Sequence, residues 1–375
     1  MKPIIVISVI LLGLLSSASV ISVANVSGAV LTMWTHTYGG PSNDWAECVI
    51  RTSDGGYALA GCTTSYGAGS WDAWLVKIDA SGNSLWNKTY GGSDADFWTC
   101  VIQTNDGGYA LGGYTASFGL TKYQFWLLKT DSAGIEQWNQ KYGGGDVDLA
   151  NSMIQTSDGG YALAGYRFAG TNDVQLLKTD SAGNQEWIRQ YFVGGNHDAA
   201  YSVIQTSDGG YMMAGGTNPV GVEEGQAFLI KTDSAGNMEW SGTYGGVSED
   251  RGYSVIQTGD GGCMLAGYTS SYAANGRDVW IVKTNSTGNM LWNQTYGGAD
   301  VDRGYSVVQT SDGGYALAGY TTSFGAGGTD VYLVKTDESG VVPEFPSMLL
   351  LPVLVLLTAV VAVLSRKRPL STIKR

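Results

Sequence analysis

Six near-copies of one unit of about 50 residues, each reading as four short strands, predict an all-β chain built as a six-bladed β-propeller with four antiparallel strands per blade. Three observations carry this expectation. Asp-Gly-Gly recurs at Asp54, Asp106, Asp158, Asp208, Asp260 and Asp312, at spacings of 52, 52, 50, 52 and 52 residues. Between these turns lie short β-branched and aromatic runs, with no helical periodicity between the termini. The two ends of the array are also cut so that one supplies what the other lacks.

The fifth unit shows the elements in order. Its first strand is Tyr253-Ser-Val-Ile-Gln-Thr, and the turn after it contains Asp-Gly-Gly, whose glycines supply the positive-φ positions of a tight hairpin. Cys263-Met-Leu-Ala-Gly-Tyr-Thr is the second strand and Asp278-Val-Trp-Ile-Val-Lys-Thr the third, with a variable loop between them. A longer turn, Asn-Ser-Thr-Gly-Asn, leads into the fourth strand, Met290-Leu-Trp-Asn-Gln-Thr-Tyr. Trp86, Trp138, Trp187, Trp240 and Trp292 mark this fourth strand in the first five units, each followed four residues later by a tyrosine. The sixth unit has none. The missing strand stands at the other end, as Trp34-Thr-His-Thr-Tyr-Gly-Gly. An open array would expose strand edges, so the N-terminal strand is expected to close the ring over residues 34–340.

Composition adds a compartment. The chain has 375 residues, 55 glycines and a formal net charge of -12, which argues against nucleic-acid binding because that needs a basic face. Met1-Lys-Pro and the apolar run from Ile4 to Leu15 read as a signal peptide over 1–24, so the mature chain is expected to be exported. Residues 348–364 are uncharged, interrupted by Pro352, and followed by Arg366-Lys-Arg368 and Lys374-Arg375. They read as one transmembrane helix with a basic cytoplasmic tail over 365–375, which leaves the propeller at the cell surface.

Two stretches carry resemblances. Val342-Pro-Glu-Phe-Pro-Ser347, within the linker 341–347, resembles the C-terminal sorting segments of archaeal surface proteins, some of which are cut by a membrane transpeptidase and reattached to lipid. The repeat, with Asp-Gly-Gly-Tyr, Ala-Gly-Tyr-Thr and Lys231-Thr-Asp-Ser-Ala-Gly-Asn-Met-Glu-Trp240, resembles secreted bacterial and archaeal propeller proteins of the quinoprotein-like and kelch-like kind. That resemblance implies the fold and no particular activity. The channel residues that hold a quinone have no match in this sequence, so no cofactor is carried over. Thr52-Ser-Asp-Gly-Gly partly resembles a sialidase Asp-box but lacks its closing aromatic.

Candidate sites follow from the loops. Asp44, Asp96, Asp148, Asp198, Asp250 and Asp302 recur after the fourth strands, and in three units a second carboxylate stands two residues earlier. The pairs Asp94 and Asp96, Asp146 and Asp148, Asp300 and Asp302 have a spacing that places two oxygen ligands on a hard cation such as Ca²⁺. Loop-amide acceptors are the other reading of these aspartates, and their sixfold repetition favours it. Variation concentrates between the second and third strands, where Tyr66, Phe118, Phe168, Tyr272 and Phe324 stand near the loop starts. They are expected to share a rim with the aspartates, Trp45, Trp98, Arg251 and Arg303, a mixture that suits a sugar or a peptide, or else to pack beneath the loops as spacers.

Symmetry breaks in the second to fourth units, at Lys122, Tyr123, Arg167, Phe168 and Glu224, so a ligand without sixfold symmetry is expected there. Asn87, Asn285 and Asn293 lie in Asn-x-Thr sequons and are candidate glycosylation sites. The four cysteines show no metal spacing and leave disulfides and buried thiols both open. His36 and His197 stand in no nucleophile motif. The chain is therefore expected to be a surface binding module for a glycan or a protein. A carbohydrate-active enzyme on the same face and a structural surface-layer component are the alternatives.

Overall fold

The computed structural model describes residues 34–342, apart from 196, 219–224, 274 and 326. The expected signal peptide, most of the linker, the transmembrane helix and the basic tail lie outside them. Among the described residues there are 23 strands and no helix long and apolar enough to cross a membrane.

The strands form consecutive antiparallel sheets of the kind seen in propeller blades. The first holds Asp44–Arg51, Tyr57–Thr63, Asp72–Ile78 and Ser84–Tyr90, in that order. The pattern repeats over 96–142, 147–191, 197–244 and 250–296, and the sixth sheet holds three strands, Asp302–Gln309, Tyr315–Thr321 and Asp330–Thr336. One parallel bridge, between Asn172 and His197, links the third and fourth sheets. The first strands of successive sheets pack on one another, which makes them the innermost strands.

Each first strand carries a bulge. The register slips between Ala46 and Cys48, Trp98 and Cys100, Ala200 and Ser202, Gly252 and Ser254, and Gly304 and Ser306. A bulge re-aims the extra side chain. Here the extra residues include Tyr201, Tyr253 and Tyr305, whose rings stand 5.1 and 5.0 Å apart in a row across three sheets.

The two glycines of each Asp-Gly-Gly turn are needed for different reasons. Gly55 has φ +85° and open space around it, whereas a Cβ on Gly56 would lie 2.2 Å from the Ile78 carbonyl and 2.8 Å from Lys77 Nζ. The turn closes on that lysine. In all six units the turn aspartate pairs with the lysine of Lys-Thr-Asp (Lys-Ile-Asp in the first unit and Lys-Thr-Asn in the fifth), at 2.8 to 2.9 Å, from Lys77 with Asp54 to Lys335 with Asp312. The repeated charges are therefore sheet fasteners.

The Trp and Tyr of the outermost strands lock each sheet to the next. Tyr90 Oη donates to the Gly134 carbonyl at 2.8 Å, and Trp86 covers the same glycine, where a Cβ would meet its ring at 2.7 Å. Tyr142, Tyr191, Tyr244 and Tyr296 repeat the bond to Gly183, Gly236, Gly288 and Gly340. The N-terminal segment does the same for the first sheet. Tyr38 Oη donates to the Gly82 carbonyl at 2.6 Å, and Trp34 Nε1 reaches the Ala80 carbonyl at 3.2 Å. Residues 34–40 thus sit on the first sheet as a preceding sheet's outermost strand would, although no ladder joins them to Asp330–Thr336.

The sheets share apolar cores at their junctions. Val279 and Ile281 of the fifth sheet pack against Val307, Leu317 and Val334 of the sixth. Serines and one cysteine of the first strands add polar bonds: the Val101 amide donates to Cys48 Sγ, and the amides of Val203, Val255 and Val307 donate to Ser152, Ser202 and Ser254. At the two ends of the array the corresponding side chains are exposed. Val49 is 61% exposed where Val101 is 1%, and Val331 and Leu333 are 89% and 68% exposed where Val279 and Ile281 are 2% and 0%.

Candidate functional site

The rim aspartates hold loops together. Asp44 accepts from the Thr63 and Ser65 hydroxyls and the Gly40 amide, Asp96 from Thr115, Ser117 and the Gly92 amide, and Asp250 from Thr269, Ser271 and the Gly246 amide. Asp302 takes Ser323 and the Gly298 amide. Five of the six are fully buried. Asp94 and Asp300 are exposed beside them, and Asp146 pairs with Arg167 and, at 3.6 Å, with Lys122. Among the described residues no group of three or more His, Cys, Asp or Glu is placed to hold a metal ion.

Four of the loop aromatics lie on the third strand of their own sheet. Tyr66, Phe118, Tyr272 and Phe324 stand 5.7 to 5.9 Å from Trp74, Trp126, Trp280 and Tyr332. Tyr66 and Tyr272 also donate to the Gly39 and Gly245 carbonyls, and the Lys141 ammonium covers Phe118 at 4.0 Å. Phe168 is exposed, and the residue at the corresponding third-strand position is Gln175. Glu224 lies outside the described residues.

That substitution leaves a small polar cavity of about 200 Å³, lined by Asp148, Arg167, Gln175 and Gln190 among others. Gln175 is buried and donates to Asp148 at 3.1 Å, at a site where Arg167 and Ala169 stand in place of the threonine and serine whose hydroxyls bind the aspartate in other sheets. Burial holds the Asp148 carboxyl above the usual carboxylate range, despite the Gly144 amide and Gln175.

A run of rings crosses the first two sheets on the loop-bearing rim. Trp45 and Trp71 stand 4.3 Å apart, Trp71 and Phe97 6.3 Å, Phe97 and Tyr114 5.0 Å, and Tyr114 and Tyr123 5.4 Å. Trp45 is 42% exposed and the rest are half-buried. Tyr123 and Trp45 were expected on the rim. Trp98 was too, but it is fully buried and stacked on Trp126 at 4.1 Å, because strand alternation turns it to the opposite face from Phe97. Trp71, Phe97 and Tyr114 were not singled out from sequence, although alternation from the buried aspartates assigns Trp45 and Phe97 to one face.

Across the fifth and sixth sheets the same rim carries arginines. Arg251 and Arg277 both pair with Glu249, which also accepts from Tyr268; burial opposes that carboxylate, and these partners hold it below its ordinary range. Arg303 stands over the Tyr268 ring at 4.7 Å and the Tyr320 ring at 5.9 Å.

All four cysteines are free thiols, and none belongs to a disulfide. Burial pushes Cys62 and Cys100 up to about 12 and Cys263 up to about 11, so they are poor nucleophiles.

No family model matches the chain, and no curated protein matches it. Among solved structures it is similar to a protein of unknown function from Dyadobacter fermentans, at 16% identity and a TM-score of 0.48, over 77% of this chain and 92% of that one. It is also similar to the Neurospora crassa Pan2 WD40 domain, at 10% identity and a TM-score of 0.46, over 72% and 74%. A third is Penicillium chrysogenum alpha-L-arabinanase complexed with arabinobiose, at 11% identity and a TM-score of 0.48, over 78% and 93%. Likeness at this level carries no argument about what this chain does.

Proposed function

We propose that this chain is an exported, membrane-tethered six-bladed propeller, closed by its N-terminal strand, that binds a carbohydrate chain across the loop-bearing rim of its first two sheets. The run of rings from Trp45 to Tyr123 is the observation that carries this reading. Aromatic faces accept the apolar C–H faces of pyranoses, while the tyrosine hydroxyls and nearby loop amides supply polar partners. Rings spaced along a rim suit a chain of sugars better than one. The buried aspartates are occupied by loop hydroxyls and amides, which favours binding over catalysis.

Closure is supported by the seating of Trp34 and Tyr38 on the first sheet, the three-stranded sixth sheet, and the apolar side chains at both ends. Export and tethering rest on the terminal segments of the sequence. Glycosylation at Asn87, Asn285 or Asn293 is compatible with their contacts: Oδ1 of Asn87 and Asn293 accepts the Trp74 and Trp280 indole N–H, and Oδ1 of Asn285 accepts turn amides. The binding claim is tested by presenting the full-length chain to an array of neutral and acidic oligosaccharides. Retention on at least one pyranose oligomer is expected, and retention on none of them would sink the reading.

A further inference from the structure

We infer that the arginine-bearing half of the rim is a carboxylate site, so that the preferred ligand is an acidic glycan carrying uronate residues. This rests on the closed ring and the aromatic run proposed above. One position per sheet, the residue after each rim aspartate, is Trp45, Phe97, Leu149, Ala199, Arg251 and Arg303 in turn. In a closed ring Arg303 is followed by Trp45, so the arginines and the aromatic run become neighbours along one path.

The charge on that path is unbalanced. Glu249 is shared by Arg251 and Arg277, while no carboxylate among the described residues forms an ion pair with Arg303. Arg303 is held instead by the faces of Tyr268 and Tyr320 and by a hydrogen bond with the Tyr305 side chain, while its Nε has no hydrogen-bond partner among the described residues. Asp250 and Asp302 beside these arginines face inward to loop hydroxyls and amides. In a chain of net charge -12, a patch where three arginines stand against one shared glutamate and the exposed Asp300 stands out as a place for an anion.

The surroundings fit that use. Gly216 stands where four other sheets carry tyrosine, and a Cβ there would lie 2.7 Å from Arg251 Nη1, so the glycine makes room for the guanidinium. Guanidinium forks match the two oxygens of a carboxylate, and stacking on tyrosine orients the Arg303 fork while leaving its Nε donor open. Aromatic faces for the sugar ring beside arginines for its acid group describe a uronate.

The test compares tetragalacturonate with its methyl ester, which has the same sugar chain without the charge, on the full-length chain at low salt. The acid is expected to bind at least tenfold more tightly, with a preference that shrinks as salt rises. Arg303→Gln is expected to bring the ratio of the two affinities below threefold, and Trp71→Ala to weaken both ligands together. Equal affinities, or a ratio unmoved by Arg303→Gln, would overturn the carboxylate site while leaving the glycan reading standing. If neither oligomer binds, the uronate preference falls and the anion site is judged by inorganic sulfate alone. Sulfate should then raise the Tm of the wild type and not of Arg303→Gln, and equal shifts would overturn it.

Discussion

Leu333→Ala separates a closed ring from an open array. Leu333 is 68% exposed, and truncating so exposed a side chain costs no more than about 0.5 kcal/mol. Its counterpart one sheet earlier, Ile281, is 0% exposed and packs against Val307 and Leu317 across the junction. If the sixth sheet docks on the first in the same way, Leu333 meets Val49, Tyr57 and Leu59, which are the corresponding residues of the first sheet. Large-to-small substitution in such a core costs about 2–5 kcal/mol, from lost transfer energy and the cavity left behind. Urea unfolding of wild type, Leu333→Ala and Ile281→Ala at one pH measures all three. Losses of similar size for the two variants are expected. A loss of several kcal/mol for Ile281→Ala with Leu333→Ala within about 0.5 kcal/mol of wild type would refute docking of the ends.

Other consequences follow from the repeated fasteners. Gly134→Ala puts a Cβ against Trp86 at a residue with φ +74°, whereas Gly107, at φ +80°, has nothing within 4 Å. The first should cost about 2–4 kcal/mol and the second about 1 kcal/mol in the same unfolding assay, since only the first adds overpacking to left-handed strain. Hydrogen bonds from the paired lysine and a neighbouring threonine, which outweigh burial at Asp158 and Asp208, hold Asp54, Asp106, Asp158, Asp208 and Asp260 at about 2. Depressed carboxyls stabilise the fold above their unfolded pKa and lose that contribution as pH falls through the folded value. The Tm should therefore fall between about pH 4 and 2, whereas Asp148 and Asp198, whose raised pKa values act in the opposite sense, add stability only above about pH 4, as they take up protons with falling pH. The buried thiols of Cys62, Cys100 and Cys263 should stay unreactive toward a disulfide reagent at pH 8 and all react once urea unfolds the chain; rapid labelling of the folded protein would contradict their burial.

The sheets were legible because their signals are local. Turn glycines, alternating strands and a fixed period act within a few residues, and the strands lie where Asp-Gly-Gly and Lys-Thr-Asp bracket them. The same motifs concealed their purpose, since Trp86 and Tyr90 act on Gly134 of the next sheet and Lys77 acts across a hairpin on Asp54. The rim was legible only in part. Tyr66 and Tyr272 look like free loop aromatics in sequence, but their hydroxyls reach backbone carbonyls of the loop leading into their own sheet, a contact that no spacing announces. The aromatic run is assembled from the first and second strands and the loops before the third strands of two sheets, so it emerges only when Trp45, Trp71 and Phe97 are brought side by side. The cavity beside Asp148 depends on one change, a glutamine where other sheets carry an aromatic ring, whose meaning needs the buried neighbour to be seen.

The binding claim is tested most directly by calorimetric titration of the full-length chain with an oligosaccharide retained on the array. Wild type, Trp71→Ala and Phe324→Ala are compared. Trp71 stands in the run of rings between Trp45 and Phe97, while Phe324 lies against Tyr332 of its own sheet. Loss of one stacking ring is worth about 1 kcal/mol or somewhat more, so Trp71→Ala should weaken binding roughly five- to tenfold. Phe324→Ala should change it by less than about twofold on the same scale. Unchanged affinity in Trp71→Ala, or an equal loss in both variants, would contradict the placement of the ligand on the first two sheets.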